Sequence, residues 1–113
     1  MASPITTHVL DTARGKPASG VGITLEAVEG GALRVIARGA TDDDGRLRTL
    51  TDPAGVPAGT YRLAFETGAY FERLSQESFF PVAHITFVVG DASAHFHVPL
   101  LLSPYSFSTY RGS

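Results

Sequence analysis

Apolar and polar residues alternate with a period of two along most of this chain, and glycine or proline breaks the alternation at short intervals. A period of two marks a strand with one buried face, because successive side chains point to opposite sides of an extended backbone. Ile23-Thr24-Leu25-Glu26-Ala27 and Leu33-Arg34-Val35-Ile36-Ala37-Arg38 both show it, and Gly30-Gly31 between them predicts a hairpin turn. Tyr61-Arg62-Leu63-Ala64-Phe65-Glu66 repeats the pattern after Pro57-Ala58-Gly59, and Ile85-Thr86-Phe87-Val88-Val89 stands between Pro81 and Gly90-Asp91. Only residues 70–76, Tyr-Phe-Glu-Arg-Leu-Ser-Gln, combine helix formers with an absence of glycine and proline, which predicts one short helix. With so little helix to cover the apolar faces, a second sheet must do so. The predicted fold is an all-β sandwich of about seven or eight strands. No repeat, linker or low-complexity stretch interrupts the 113 residues, so residues 1–113 read as a single domain, small enough that a subunit interface would help bury its apolar residues.

Composition removes several function classes. Nine Lys and Arg against eleven Asp and Glu give a net charge of −2, and the basic residues are scattered, so no concentrated positive field exists for a nucleic-acid backbone. The absence of cysteine excludes a disulfide, a thiolate metal site and a cysteine nucleophile. The start, Met1-Ala2-Ser3-Pro4-Ile5-Thr6-Thr7, lacks the basic and apolar regions of a secretory signal, and no apolar run is long enough to cross a bilayer. The end is not the peroxisomal Ser-Lys-Leu. The expectation is an unexported, cytoplasmic protein with no membrane or nucleic-acid partner.

Four segments carry residues with chemistry: Thr6-Thr7-His8-Val9-Leu10-Asp11, Asp42-Asp43-Asp44-Gly45-Arg46, His95-Phe96-His97-Val98-Pro99-Leu100 and Thr109-Tyr110-Arg111-Gly112-Ser113. Alternation sets His8 on the strand face opposite Ile5, Thr7 and Val9, and sets His95 and His97 together on the face opposite Phe96, Val98 and Leu100. Each has an ordinary explanation as a solvated strand residue. A His-x-His pair joined by His8 or His84 would instead make a three-histidine zinc site, although no carboxylate stands by to orient the rings. The acidic run fails as a calcium loop: with Gly45 at the sixth position, Ala40 and Thr51 occupy the first and last, where carboxylates belong. It reads as a solvated turn with Gly45 at the bend. Arg46 follows directly and offers a planar donor set for a carbonyl or anion. The terminal Phe107-Ser108-Thr109-Tyr110-Arg111 follows a Ser103-Pro104 turn and predicts a pairing strand, whose ordered end would present a serine hydroxyl and a carboxylate.

Taken together these segments resemble the 5-hydroxyisourate hydrolases, also called transthyretin-related proteins. The resemblance runs through Ile5-Thr6-Thr7-His8-Val9-Leu10-Asp11, Gly15-Lys16-Pro17-Ala18, Asp43-Asp44-Gly45-Arg46, Gly59-Thr60-Tyr61-Arg62-Leu63 and Phe79-Phe80-Pro81. It is most specific in His97-Val98-Pro99-Leu100-Leu101-Leu102-Ser103-Pro104 and the closing Tyr110-Arg111-Gly112-Ser113, a tetrapeptide that separates the hydrolases from the hormone-carrying transthyretins. The resemblance implies a transthyretin-like sandwich of two four-stranded antiparallel sheets with one short helix, and a homotetramer built as a dimer of dimers with its sites in the central channel. It implies His8, Arg46 and His97 as catalytic residues and Tyr110, Arg111, Gly112 and Ser113 as substrate-binding ones, with His95 lining the channel or orienting ligand. The implied reaction opens the six-membered ring of 5-hydroxyisourate, the product of urate oxidation, with no metal or cofactor.

The residue types suit that chemistry. An imidazole near its ordinary pKa of about 6.5 can accept a proton from water at neutral pH. A fixed guanidinium can stabilise charge developing on a carbonyl oxygen. Three other classes stay in view: carriage of a small aromatic ligand without transforming it, a zinc-dependent hydrolase, and a purely structural interaction domain.

Overall fold

The Gly30-Gly31 hairpin forms where the alternation placed it. Strands β3 (Gly22–Glu29) and β4 (Ala32–Ala40) pair antiparallel across it, and both glycines take the positive φ that such a turn requires. The structure is a computed structural model and describes residues 4–113; Met1, Ala2 and Ser3, on which part of the N-terminal reading rests, lie outside the described residues. β6 (Gly59–Phe65) lies on the other side of β3, and β7 (Ala83–Val89) lies beside β6, completing a four-stranded antiparallel sheet.

The second sheet is built around β1 (Ile5–Asp11) and β8 (Phe96–Leu102), with β9 (Phe107–Thr109) on the far side of β8. Two strands of two residues each, β2 (Lys16–Pro17) and β5 (Arg46–Leu47), share the free side of β1. The expected pair of sheets is present, with two differences of detail. This sheet has five strands, and its central pair, β1 with β8, runs parallel along seven residue pairs. The parallel pairing follows from topology: the strand that returns beside β1 has first crossed through the other sheet, so no hairpin forces the two to run in opposite directions.

The apolar faces meet between the sheets. Ile5 and Val9 of β1, Ile23 and Leu25 of β3, Leu63 and Phe65 of β6 and Leu100 and Leu102 of β8 are all buried, each side chain contributing roughly 1.5–3 kcal/mol by leaving water. The one α-helix among the described residues, α1 (Thr67–Arg73), starts three residues earlier than expected because it takes in Gly68. A side chain at Gly68 would stand 2.9 Å from Pro81 Cα, and the Gly68 N–H donates to the Pro81 carbonyl at 2.9 Å, so close backbone contact outweighs poor helix propensity there. The helix stops where Ser75 takes φ 54° and Gln76 N–H donates back to the Phe71 carbonyl. Tyr70 ties the helix to β1: its hydroxyl donates to the fully buried Asp11 carboxylate at 2.8 Å. Burial first, and that bond second, push the phenol up from its usual range.

No α-helix of the described residues is long and apolar enough to cross a membrane.

Candidate active site

With the core face of β1 taken by Ile5, Thr7, Val9 and Asp11, Thr6 and His8 are left on its outer face. β8 obeys the same rule. Phe96, Val98, Leu100 and Leu102 point inward, and His97 points outward, with His95 just ahead of the strand on the same side. The parallel register then sets Thr6 directly beside His97. On the other side of β1 the antiparallel register sets Arg46 beside His8. Histidines and arginine far apart in the chain thus share one sheet face.

The acidic turn is what delivers Arg46. The Asp42 carboxylate accepts the N–H groups of Asp44 at 2.9 Å and Arg46 at 3.0 Å, the Asp42 N–H donates to the Arg46 carbonyl, and the Asp42 carbonyl accepts the Gly45 N–H. Those bonds hold the Asp42 carboxyl below its ordinary range, the Arg46 N–H being the largest cause. Gly45 sits at φ 75°, and a Cβ there would run into the Val9 carbonyl oxygen, so this position admits only glycine. Leu47 is buried, which anchors β5 and leaves Arg46 and Arg48 on the outer side.

Hydrogen bonds define the imidazoles. His8 Nε2 lies 2.9 Å from the Asp44 carbonyl oxygen; a carbonyl can only accept, so Nε2 carries the proton and Nδ1 is the acceptor in the neutral ring. Burial, then the Arg46 charge, lower the His8 pKa. His97 Nδ1 lies 2.8 Å from Thr6 Oγ1, and His95 Nε2 lies 3.0 Å from that same oxygen. The His95 and His97 rings are near-parallel with centroids 6.4 Å apart. Burial lowers the His97 pKa most, followed by the charges of His95, Arg46 and His8. Both shifted histidines therefore stay neutral, and able to accept a proton, at lower pH than a free imidazole.

The chain's end closes the arrangement. Gly112 forms an isolated bridge to His97, its N–H donating to the His97 carbonyl at 2.8 Å. An added Cβ at Gly112 would meet His97 Cδ2 at 2.6 Å, so glycine is what lets the tail lie against the imidazole. Thr6, Thr7, Arg46, Arg48, His95, His97 and Ser113 surround a cleft of about 220 Å³. Among the described residues the ion pairs are Arg34–Glu29 and Arg62–Glu26; neither Arg46 nor Arg48, which both line the cleft, belongs to one.

Of the residues expected from the sequence, His95, His97, Arg46 and Ser113 line this cleft, His8 adjoins Arg46 and Gly112 adjoins His97. Tyr110 and Arg111 do not join them within one chain. They line a separate cavity of about 320 Å³ with Ile85, Phe87, Phe96 and Val98, and the Arg111 guanidinium lies 4.6 Å from the centre of the Phe96 ring. That cavity contains no histidine, so its larger volume does not make it the reactive one. His84 stands on β7 in the other sheet, away from His95 and His97. Among the described residues no group of three His, Asp or Glu side chains converges as a metal site would. Three cleft residues were missed, Thr6, Thr7 and Arg48. Thr6 looks like any strand threonine, and the link from Arg46 over one inward residue to Arg48 is visible only once Arg-Leu-Arg is known to be extended.

Comparison with known proteins settles the family. The family model of the HIUase/Transthyretin family matches residues 5–112. The chain belongs to that family. It is 47% identical over 114 residues to 5-hydroxyisourate hydrolase 2 of Rhizobium meliloti, covering 96% of this chain and 95% of the relative. The 5-hydroxyisourate hydrolase of Klebsiella pneumoniae superposes with a TM-score of 0.86 at 46% identity, covering 96% of this chain and 98% of that one. Sea bream transthyretin in complex with thyroxine superposes with a TM-score of 0.91 at 32% identity, covering 96% of this chain and 94% of that one. The family thus holds hydrolases and a hormone-binding protein on one backbone, and side chains must decide between them.

Proposed function

We propose that this protein is a 5-hydroxyisourate hydrolase of urate degradation, opening the substrate's ring to 2-oxo-4-hydroxy-4-carboxy-5-ureidoimidazoline. The observation that carries the reading is the cleft beside His97, where imidazoles gather with two guanidiniums that belong to no ion pair among the described residues. A carrier of an aromatic hormone needs an apolar channel and has no use for such a set. Its full-length similarity to named hydrolases supports the same conclusion.

In the proposed mechanism His97 is the general base. Its Nδ1 is engaged by Thr6, which leaves Nε2 to take a proton from water as the water oxygen bonds to the ring carbonyl carbon. Arg46 stabilises the charge that develops on the carbonyl oxygen, where one lost donor costs roughly 3–4 kcal/mol in other hydrolases. The ring C–N bond then breaks, and the leaving nitrogen takes a proton back from a histidine, with His8 next to Arg46 as the second acid–base group. Gly112 and Ser113 set one wall of the cleft, His95 orients the assembly, and no metal or cofactor takes part. We further assign residues 1–113 to one domain and the protein to a homotetramer, a dimer of dimers whose central channel the histidine face lines. In that assembly Tyr110 and Arg111 approach substrate from a neighbouring chain.

The test is turnover. With 5-hydroxyisourate made in situ from urate by urate oxidase, the protein should speed its ultraviolet decay well beyond the spontaneous rate, and an unchanged rate overturns the reading.

A further inference from the structure

Thr6 sits between two imidazoles with a single proton to give. Its side chain is 5% exposed, and its hydroxyl oxygen lies 2.8 Å from His97 Nδ1 and 3.0 Å from His95 Nε2. A hydroxyl hydrogen turned away from both rings would be left in a buried place without an acceptor. The hydroxyl therefore donates to one ring and accepts from the other, and the two rings cannot choose their tautomers independently.

We propose that Thr6 is a positioning residue that makes the tautomer of His97 depend on the protonation of His95. This rests on the reading of His97 Nε2 as the water-activating nitrogen. When His95 is neutral with its proton on Nδ1, Thr6 donates to His95 Nε2 and accepts from His97 Nδ1–H. His97 Nε2 is then bare and faces the cleft as a base. When His95 gains a proton, its Nε2–H donates to Thr6, the Thr6 hydrogen turns to His97 Nδ1, and the proton of neutral His97 moves to Nε2. One proton has been added at His95, none has been lost, and the base at His97 is blocked. His95 is exposed and so meets bulk pH directly, while His97 is partly covered.

The other charged or titratable groups facing this unit are His8 on β1, Arg46 and Arg48 on and after β5, and the terminal carboxylate of Ser113. None of them is hydrogen-bonded to the Thr6 hydroxyl, so none can pass the same signal through it. The two rings are also near-parallel with centroids 6.4 Å apart, so charge gained by one lies close to the other.

The experiment is long-range nitrogen–proton correlation NMR on histidine-labelled wild type, Thr6→Val, Thr6→Ser and His95→Gln, alongside kcat and KM for each. In wild type the His97 nitrogens should exchange their protonated and bare shifts as the His95 ring signals report the gain of a proton there. Thr6→Val should abolish that response and lower kcat about tenfold with little change in KM; Thr6→Ser should restore both. His95→Gln should remove the His97 transition even if Thr6→Val folds poorly. A His97 tautomer that ignores His95 in wild type, or that still follows it in folded Thr6→Val, overturns the proposal. A wild type that shows the linked titration without hydrolase activity supports the coupling and overturns the hydrolase reading instead.

Discussion

Replacing Gly112 by alanine asks whether the tail and the His97 ring form one device. The added methyl would stand 2.6 Å from His97 Cδ2, 3.3 Å from Cγ and 3.4 Å from its Cβ, against an ordinary contact of at least 3.4 Å. Roughly 0.8 Å must be found at the closest atom. The tail can retreat, giving up the Gly112 N–H bond to the His97 carbonyl, or the imidazole can turn, giving up its 2.8 Å bond to Thr6. Overpacking of this kind costs about 1–3 kcal/mol, and because Gly112 lies outside the buried core the strain should relax locally and leave the sandwich folded. Catalysis has less tolerance, since a displacement of about 1 Å at a reacting group can cost 10²-fold in rate. The expected result is a kcat/KM lower by about 10²-fold in the ultraviolet assay of 5-hydroxyisourate, with an unchanged circular dichroism spectrum and a small drop in Tm. A variant within twofold of wild type would refute the inference that the tail positions His97.

Four further outcomes are expected. Arg46→Ala should lower kcat/KM by about 10²–10³-fold in a folded protein, since it removes the guanidinium set directly beside His8; wild-type kinetics would remove Arg46 from the site. Gly45→Ala should destabilise the fold by about 2–4 kcal/mol, through a strained positive φ and a collision with the Val9 carbonyl, and should depress activity by releasing Arg46; denaturant melts showing no loss would contradict this. His8 and His97 should titrate by NMR below about 6.5. Because their pKa values fall on folding, the unfolded chain takes protons first, so their share of stability is full above about 6.5 and is lost as pH falls through the lower folded values; midpoints at or above 6.5 would contradict the burial argument. Deleting Tyr110 to Ser113, or extending the C-terminus with a tag, should impair activity by removing or displacing the bridge at His97, and full activity in the tagged protein would contradict that role.

Strand alternation carried most of the fold and part of the site. It located the Gly30-Gly31 hairpin, set His8 opposite Ile5, Thr7 and Val9, and set His95 with His97 opposite Phe96 and Val98, all as the structure has them. Alternation says which face a residue occupies but nothing about which strand lies beside it. The parallel run of β1 along β8, the placement of Thr6 next to His97 and the docking of β5 on β1 all depend on pairings across roughly 40 to 90 residues. Tyr110 and Arg111 show the same limit. Within one short tail they face an apolar cavity while Ser113 faces the histidines, on either side of the Gly112 bridge to His97. The short helix was displaced for a local reason: close packing of Gly68 on Pro81 outweighs the propensity scale at that position.

The most direct test of the central claim compares wild type with His97→Ala, both shown to be folded, in the decay of freshly generated 5-hydroxyisourate against an enzyme-free control, with chelator present throughout. The account predicts acceleration by wild type and decay at the spontaneous rate with His97→Ala. Wild-type turnover by His97→Ala, or wild-type activity abolished by the chelator, would contradict it.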